Sequence, residues 1–268
     1  MKKQNIFILV LILILSTTTF AGLFKKKVNE NELKVGATPI PHAEILEFIK
    51  KDLAKEGIKL KIVEFTDYVT PNLALNDGEI DANFFQHIPY MNKFSKERNL
   101  KLVSVGTVHV EPMGLFSKKI QNISELKNGS IIAIPNDPSN GGRALILLED
   151  KGLIKLKDDA GLNATEFDII KNPKKLKFKA LEAAQLPRVL QDVDAAVING
   201  NYALESNLNP AKDALLVEGA NSPYANIVTV VAGNEKNKKI QKLIKVLQSE
   251  KVKKFIKEKY NGAIIPAF

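Results

Sequence analysis

Short apolar runs with the period of a β-strand alternate with helical patterns from Leu33 to the end of the chain. The first run stops at Pro39, and the apolar residues after it recur at helical spacing until Gly57. Further strand-like runs lie at 60–65, 80–85, 100–108, 131–135, 176–180, 195–198 and 225–232. Other helical patterns are a short helix opened by Ser124, an apolar face at 144–148, a helix at about 186–192 and two stripes at 240–247 and 252–256. This alternation predicts an α/β protein with mostly parallel sheets.

The N-terminus has the pattern of a secretory signal peptide. Lys2 and Lys3 precede ten unbroken apolar residues, 6–15, and small residues lead to Ala21. Ten apolar residues are too few to span a bilayer, which needs about 20. We therefore expect residues 1–21 to be removed and the chain to reach the periplasm or cell envelope. An uncleaved membrane anchor is the alternative.

The sequence contains no cysteine. This excludes disulfides, thiolate zinc sites and cysteine nucleophiles. Exported lipoproteins carry a cysteine directly after a Leu-Ala-Gly-like triplet, whereas Leu23 follows Phe20-Ala21-Gly22 here. Lipid anchoring is therefore not expected.

The chain divides into two blocks of strands and helices. A new block begins at Met113, and the run 225–232 is long enough to carry the chain back to the first block. We expect one lobe from residues 33–112 plus 225–268 and a second from residues 113–224, and 268 residues suffice for two such domains. Two α/β halves behind an export signal, with no evident catalytic set, suggest a binding protein whose ligand lies between lobes, although fold alone does not settle function.

Lysine supplies most of the positive charge. The net charge is +9, from 39 basic and 30 acidic residues, and only three of the basic residues are arginines. Nucleic-acid-binding proteins usually rely on arginine and on basic grooves with stacking aromatics. Lysine is spread along this chain, so the pattern favours a solvated surface, and no nucleic-acid partner is expected.

The segment 81–90, DANFFQHIPY, carries the first candidate binding residues. A strand ends at Phe85, and Pro89 suits the first turn of a following helix. His87 and Tyr90 therefore lie near a strand-to-helix junction, which is where α/β folds bind ligands.

Aromatic residues concentrate around this junction, although only 7% of the chain is aromatic. Tyr68 follows a neighbouring strand and adds to the group. Because side chains alternate along a strand, only one of Phe84 and Phe85 can face a given cleft, and we expect Phe85 to do so. The alternative is that the whole group belongs to the core.

The loop before the apolar helical face supplies a second group. Gly141 and Gly142 would let backbone approach a ligand, and Ser139 or Asn140 could cap the helix. A helix N-terminus suits a carboxylate, and Arg143 adds a planar guanidinium that can donate two hydrogen bonds to it. The alternative, a surface arginine at a helix start, is unfavourable with the helix dipole. The loop lacks the Lys-Ser/Thr of a P-loop, so nucleotide binding is not expected.

Two asparagines could complete the site. Asn199 follows the strand-like run 195–198, and Asn226 begins the run that returns the chain to the first block. An amide can bind an ammonium and a carboxylate without adding net charge. An isolated loop asparagine is more often part of a turn, which is the alternative for both.

Several motifs in the same order resemble the NlpA family, the methionine-binding proteins of bacterial ABC importers. The resemblance covers nearly all of the chain from Leu33 to the C-terminus. Its most specific segments are Phe65–Tyr68 (FTDY), Asp81–His87 (DANFFQH), Asn136–Pro138 (NDP), Gly142-Arg143, Leu186–Arg188 (LPR), Val197–Asn199 (VIN) and Ser222–Tyr224 (SPY).

The resemblance implies a type II periplasmic-binding-protein fold, in which two α/β lobes enclose a ligand cleft. It implies a monomer that delivers L- or D-methionine to an inner-membrane ABC permease with its ATPase by cleft closure. It also implies roles for the candidate residues: an aromatic wall around the thioether from Tyr68, Phe85, His87 and Tyr90, a carboxylate partner in Arg143, and hydrogen bonds to the α-amino and carboxylate groups from Asn199 and Asn226.

Other functions stay open at this point. The same fold could bind another small amino acid or a short peptide, or the chain could be a surface protein without a transport role. An enzyme is disfavoured because the three histidines form no His-x-x-x-His pair and no Gly-x-Ser-x-Gly elbow occurs. His109 near Glu111 could suggest a metal pair, but a strand histidine without a ligand role is the preferred interpretation. We expect no catalysis, no metal and no cofactor.

Overall fold

The computed structural model describes residues 31–219 and 222–268. The predicted signal peptide, residues 1–21, lies outside the described residues. The strands are β1 (Glu32–Ala37), β2 (Lys59–Glu64), β3 (Ala82–His87), β4 (Leu102–Val110), β5 (Gly114–Phe116), β6 (Ile131–Pro135), β7 (Lys155–Leu156), β8 (Ile169–Lys171), β9 (Lys177–Leu181), β10 (Ala195–Ile198), β11 (Leu216–Val217), β12 (Ala225–Val231) and β13 (Ile265–Pro266).

The α-helices lie between and after these strands. They are α1 (Glu44–Lys55), α2 (Thr70–Asn76), α3 (Ile88–Arg98), α4 (Pro138–Asp150), α5 (Gly200–Glu205), α6 (Pro210–Asp213), α7 (Lys238–Leu247) and α8 (Glu250–Tyr260). A π-helical turn spans Pro39–Ala43, and 3-10 segments span Ile123–Glu125, Gly161–Asn163, Glu166–Asp168 and Ala183–Val189. Within the described ranges, no helix has both the length and the apolar character needed to cross a membrane.

The first sheet has six strands in the order β13-β4-β12-β3-β1-β2. β1 and β3 pair in parallel, whereas β12 runs antiparallel to both of its neighbours, β3 and β4. The expectation of mostly parallel sheets is therefore wrong for this sheet. The physical reason is that β4 carries the chain out of the sheet and β12 carries it back, so the two strands run in opposite directions side by side.

The second sheet has five strands in the order β11-β5-β10-β6-β9. Its centre is parallel, because β6 pairs in parallel with both β10 and β9. β5 is antiparallel to β10 and β11. All strands between β5 and β11 belong to this sheet or to the small β7–β8 pair, so the chain passes between the two large sheets only through the segments after β4 and before β12.

One face of the six-stranded sheet is covered by α1, α7 and α8. Each helix buries a stripe of apolar residues at a spacing of three or four, which is the pattern of a half-buried helix. The buried residues are Ile45, Leu46, Ile49 and Leu53 of α1, Ile240, Leu243 and Leu247 of α7, and Val252, Ile256 and Tyr260 of α8. Val228 and Val230 of β12 contribute to this core, whereas their neighbour Ile227 packs with α2 and α3 on the opposite face.

Two predicted helices form tighter 3-10 segments instead of α-helices. The pattern at 186–192 predicts a helix, but the chain forms a 3-10 segment at Ala183–Val189 with Pro187 inside it. Proline has no N–H to donate, so it cannot continue an α-helical ladder. The helix predicted from Ser124 is likewise a single 3-10 turn, Ile123–Glu125.

Candidate functional site

The junction between β3 and α3 forms one wall of a buried pocket. His87, the last residue of β3, caps α3: its Nδ1 accepts a hydrogen bond of 3.2 Å from the backbone N–H of Tyr90. The Tyr90 hydroxyl in turn donates to the backbone oxygen of Tyr68 at 2.7 Å. The helix start therefore fixes both an imidazole and a phenol at the edge of the sheet.

Tyr68, Phe85 and Tyr90 form an aromatic cluster on this wall. The ring centroids of Tyr68 lie 5.9 Å from those of both Phe85 and Tyr90, and Phe85 and Tyr90 are 6.1 Å apart. Such separations and tilted geometries are favourable for aromatic pairs. Phe84 lies on the opposite face of β3, fully buried in the core under α1. Strand alternation thus places Phe85 in the pocket and Phe84 outside it.

His87 is a neutral imidazole. Burial and, to a smaller extent, the nearby Arg143 guanidinium lower its pKa to about 3, and the hydrogen bond to Asn140 opposes this shift. Because Nδ1 is the acceptor at the helix cap, the single ring proton lies on Nε2, which donates to Oδ1 of Asn140 at 3.2 Å. This bond runs from the six-stranded sheet to the first turn of α4.

The N-cap of α4 is Asp137, and not Ser139 or Asn140 as the sequence suggested. Its carboxylate accepts from the backbone N–H of Asn140 at 3.0 Å, and both carboxylate oxygens accept from Nδ2 of Asn140 at 3.0 Å. Aspartate is an acceptor without a donor of its own when ionised, so it satisfies these N–H groups directly. Asn140 is held with its Oδ1 turned toward the pocket.

Gly141 and Gly142 face protein, and the expectation that they open the backbone to a ligand is wrong. A Cβ at Gly141 would lie 2.9 Å from the oxygen of Pro135, and one at Gly142 would lie 2.5 Å from the oxygen of Leu162 and 2.8 Å from the nitrogen of Ala164. The pair lets α4 approach the neighbouring backbone closely.

Arg143 lies in the second turn of α4 and is only 4% exposed, so it is neither at the helix mouth nor on the surface. Its Nε donates to Oε1 of Glu218 at 2.9 Å, and its Nη2 donates to Oε2 of the same carboxylate at 2.5 Å. Nη2 also donates to the backbone oxygen of Glu111 at 2.8 Å, and the guanidinium stacks 4.3 Å from the Tyr224 ring centroid. Nη1 has no hydrogen-bond partner within the described ranges.

The two predicted asparagines line the same pocket as Arg143. Nδ2 of Asn199 donates to Oδ1 of Asn140 at 2.9 Å, and Oδ1 of Asn199 is buried without a hydrogen-bond partner in the described part of the chain. A buried acceptor without a donor is costly, so this atom is suited to a donor from a ligand. Oδ1 of Asn226 accepts from Nε2 of His42 at 3.0 Å.

His42, His109 and Glu111 form a buried polar group behind the pocket. Oε1 of Glu111 lies 2.7 Å from Nε2 of His109 and 3.1 Å from Nε2 of His42. Burial lowers the pKa of His42 to about 4 and that of His109 to about 3, so both rings are neutral. Burial raises the pKa of Glu111, and His42 and Arg143 oppose this.

Of the described residues, these three form a group whose atoms could bind a metal ion. Two atoms bound to one tetrahedral Zn²⁺ lie roughly 3.3 Å apart. Nε2 of His109 and Oε1 of Glu111 are closer than that, at hydrogen-bonding distance. Their arrangement is that of a hydrogen-bond network which fixes Glu111 and Asn226 from behind.

All these elements line one pocket, in which the space between atoms is about 320 Å³, including space open to solvent. The seven residues that the sequence singled out all line it: Tyr68, Phe85, His87, Tyr90, Arg143, Asn199 and Asn226. Gln86, Glu111, Asn140 and Gly200 also line it and were not predicted as site residues. Gln86 and Gly200 each adjoin a predicted site residue in the sequence, and this could have indicated them. No sequence pattern around Glu111 indicates that it lines the pocket.

Hydrogen bonds close the pocket across the cleft. The Tyr68 hydroxyl donates to Oδ1 of Asn201 at 2.5 Å, and the Tyr202 hydroxyl donates to the backbone oxygen of Thr66 at 3.2 Å. Tyr68 and Thr66 follow β2 of the six-stranded sheet, whereas Asn201 and Tyr202 belong to α5, which follows β10 of the five-stranded sheet. The site therefore draws on both large sheets.

The family model for NlpA lipoproteins matches residues 33–268. The chain belongs to the NlpA lipoprotein family. The D-methionine-binding lipoprotein MetQ of Salmonella typhimurium is 43% identical over 256 residues, which cover 94% of each chain.

Two solved structures share the fold. A nutrient binding protein from Burkholderia cenocepacia, bound to methionine, is 49% identical, with a TM-score of 0.86 over 88% of this chain and 100% of that chain. Lipoprotein Tp32 from Treponema pallidum is 44% identical, with a TM-score of 0.86 over 89% of this chain and 100% of that chain. The predicted family and the predicted two-lobed periplasmic-binding-protein fold are confirmed.

Proposed function

We propose that this protein binds methionine in the pocket between its two sheets and delivers it to an ABC importer by closing around it. The observation that carries the proposal is a single buried pocket with an aromatic wall at one end and a buried guanidinium at the other. The same fold holds methionine in the relative from Burkholderia cenocepacia, at 49% identity.

The polar end of the pocket suits the α-carboxylate and α-ammonium of an amino acid. Arg143 is held by Glu218, and its Nη1 is left to donate to a carboxylate oxygen. Asn199 offers a buried oxygen without a donor, and Asn226 offers a second amide. We assign the carboxylate to Arg143 and the hydrogen bonds to the α-amino and carboxylate groups to the two asparagines.

The apolar end suits a thioether side chain. Tyr68, Phe85, His87 and Tyr90 would surround it, and His87 is neutral there, so no charge has to be desolvated beside sulfur. Burying the side chain contributes about 0.8 kcal/mol per CH₂-sized group. Contacts of sulfur with ring edges add roughly 0.3–1.5 kcal/mol, which is the increment that separates methionine from leucine.

The lining of the pocket supports a ligand with one apolar end and one charged end, because aromatic rings and a buried guanidinium face the same space. The hydrogen bonds across the cleft support closure as the signal, because a ligand that contacts both sides favours the closed state.

A methionine-terminated short peptide is the second candidate. A neighbouring cleft that opens to solvent shares Tyr68 and Tyr90 with the pocket and is also lined by Asp67, Asp137 and Glu182. A peptide whose C-terminal carboxylate reached Arg143 would extend its ammonium end toward these carboxylates. Another small amino acid in the same pocket is a third possibility.

The partner and location follow from the same proposal. The inner-membrane ABC permease with its ATPase would receive the ligand, the chain would act as an exported monomer, and no enzymatic step is involved. The lobes would be residues 33–112 plus 225–268 and residues 113–224. The separate sheets and the two crossings between them support this division. Absence of cysteine supports an exported form without a lipid anchor.

Native mass spectrometry of the protein as purified, followed by calorimetry on ligand-stripped protein, tests the proposal. We expect one adduct with the mass of methionine and stoichiometric binding of L- or D-methionine without product. A dipeptide mass would support the second candidate. Release of a chemically altered product, or no binding of any amino acid or dipeptide, would overturn the proposal.

A further inference from the structure

The positive charge of the folded chain is concentrated on the last two helices. Residues 236–259 carry ten lysines and two glutamates, whereas residues 33–235 carry 24 basic and 26 acidic residues. A shorter run without acids, residues 171–179, carries five more lysines, but acids elsewhere in residues 33–235 balance them. The largest local excess of positive charge in this part of the chain therefore lies on α7 and α8.

These lysines point away from the protein. α7 and α8 pack their apolar stripes on the six-stranded sheet, so their remaining residues form an outer surface, which we call the basic face (residues 236–259). The exposed lysines of the basic face are Lys236, Lys238, Lys245, Lys251, Lys254, Lys257 and Lys259.

Ion pairs leave most of this charge in place. Lys242, Lys251 and Lys259 pair with acids on or next to α1, but α1 carries lysines of its own that nearly balance those acids. Exposed pairs of this kind are also weak and screened by salt. Lys238, Lys245 and Lys257 have no ion-pair partner in the part of the chain that the structure describes.

We propose that the basic face docks on the anionic phospholipid headgroups of a membrane surface. A lysine cluster held on a rigid outer surface is attracted to anionic lipid, by about fivefold in partitioning for each lysine near the surface. The inference rests on the proposed extracytoplasmic function. Relatives of the family are lipoproteins by name, and this chain has no cysteine to carry a lipid, so an electrostatic contact would keep it beside its importer.

Docking by this face leaves the ligand pocket free. No residue that lines the pocket lies within 236–259. Changes to the basic face can therefore alter membrane binding without touching the binding residues, and the two functions can be measured separately on the same sample.

The test measures binding of the exported protein to vesicles of phosphatidylglycerol and, separately, of phosphatidylcholine. The variant carries Lys238→Gln, Lys245→Gln and Lys257→Gln. The matched control removes the same charge from β8 and β9, through Lys171→Gln, Lys177→Gln and Lys179→Gln, all exposed and without ion pairs among the described residues. Calorimetry with methionine on each protein reports the pocket independently.

We expect binding to phosphatidylglycerol vesicles alone, a loss of roughly a hundredfold in the partition coefficient of the basic-face variant, and a loss of less than twofold in the control. In 1 M salt, where the screening length is about 3 Å, binding should disappear. Equal losses in both variants, equal binding to both lipids, or no vesicle binding would each overturn the proposal. Retention on an acidic protein without vesicle binding would assign the face to a protein partner instead. None of these results depends on whether methionine binds.

Discussion

The aromatic side of the pocket comes from neighbouring segments of one sheet, whereas the charged side is assembled from segments far apart in the sequence. Phe85, His87 and Tyr90 lie within six residues of one another. Arg143 is 75 residues from its partner Glu218 and 32 residues from Glu111. Each aromatic ring touches several others, so one can change without exposing a charge. On the charged side, removal of one partner leaves another buried and uncompensated.

The largest expected effect comes from removing the guanidinium while keeping the charge balanced. Arg143→Gln in a Glu218→Gln background should weaken methionine binding by about a hundredfold or more, because truncating one member of a buried charged contact typically costs 2–5 kcal/mol, or about 30-fold to several thousand-fold. Calorimetry measures the affinity, and circular dichroism checks the fold.

Glu218→Gln alone is the matched control for that variant. It keeps the arginine and should retain most of the affinity. Undiminished binding in the double variant would show that Arg143 does not hold the carboxylate.

Truncating the aromatic wall should have a smaller and more selective effect. Tyr68→Ala or Phe85→Ala should weaken the binding of methionine by about tenfold more than that of alanine, because the methyl side chain of alanine is too short to reach the rings. The control Phe48→Ala, in α1 and remote from the pocket, should leave the affinities for methionine and for alanine unchanged. If methionine and alanine lose affinity equally, the wall does not contact the thioether.

Adding a side chain at Gly142, where α4 lies close to a neighbouring backbone, should reduce the stability of the fold more than it reduces ligand binding. A methyl group there would press on the backbone of Leu162 and Ala164, and overpacking of this kind costs about 1–3 kcal/mol. Urea unfolding of Gly142→Ala measures the loss. Unchanged stability would mean that α4 moves freely away from the 3-10 segment Gly161–Asn163.

The polar group behind the pocket should make the stability of the protein depend on pH. Burial lowers the pKa of His109 to about 3 from 6.5, so between these values the unfolded chain binds a proton that the folded chain does not. This contribution to stability is complete above pH 6.5 and falls by about 1.4 kcal/mol per pH unit below it. From pH 7 to pH 5, wild type should lose about 2 kcal/mol more than His109→Gln in urea unfolding. If the free energy of unfolding falls by the same amount in wild type and in His109→Gln, His109 is not the group responsible for the pH dependence.

Local sequence patterns predict the aromatic side well. The alternation along β3 and the proline at the first turn of α3 together place Phe85, His87 and Tyr90 in one pocket. The apolar run 195–198 matches β10 residue for residue. Asn199 is also found, because it directly follows the strand β10, and Arg143 is found because it lies in the helix that follows β6.

Long-range partners are not visible in such patterns. Nothing near Glu218 or Glu111 in the sequence indicates that each would contact Arg143, since both contacts depend on how β4 and β11 meet α4. The direction of β12 could not be predicted either, because a run of β-branched residues has the same sequence pattern whether its neighbouring strands are parallel or antiparallel.

Two pocket residues also hold the starts of helices. His87 caps α3, and Asn140 is bonded to the cap of α4 through both its backbone and its side chain. Replacing His87 would remove the acceptor at the start of α3, and replacing Asn140 would remove two of its three hydrogen bonds to the cap of α4, so either change affects a helix start as well as the pocket. Changes in ligand specificity should therefore arise at Tyr68 or Phe85, while His87 and Asn140 are retained in relatives that bind other ligands.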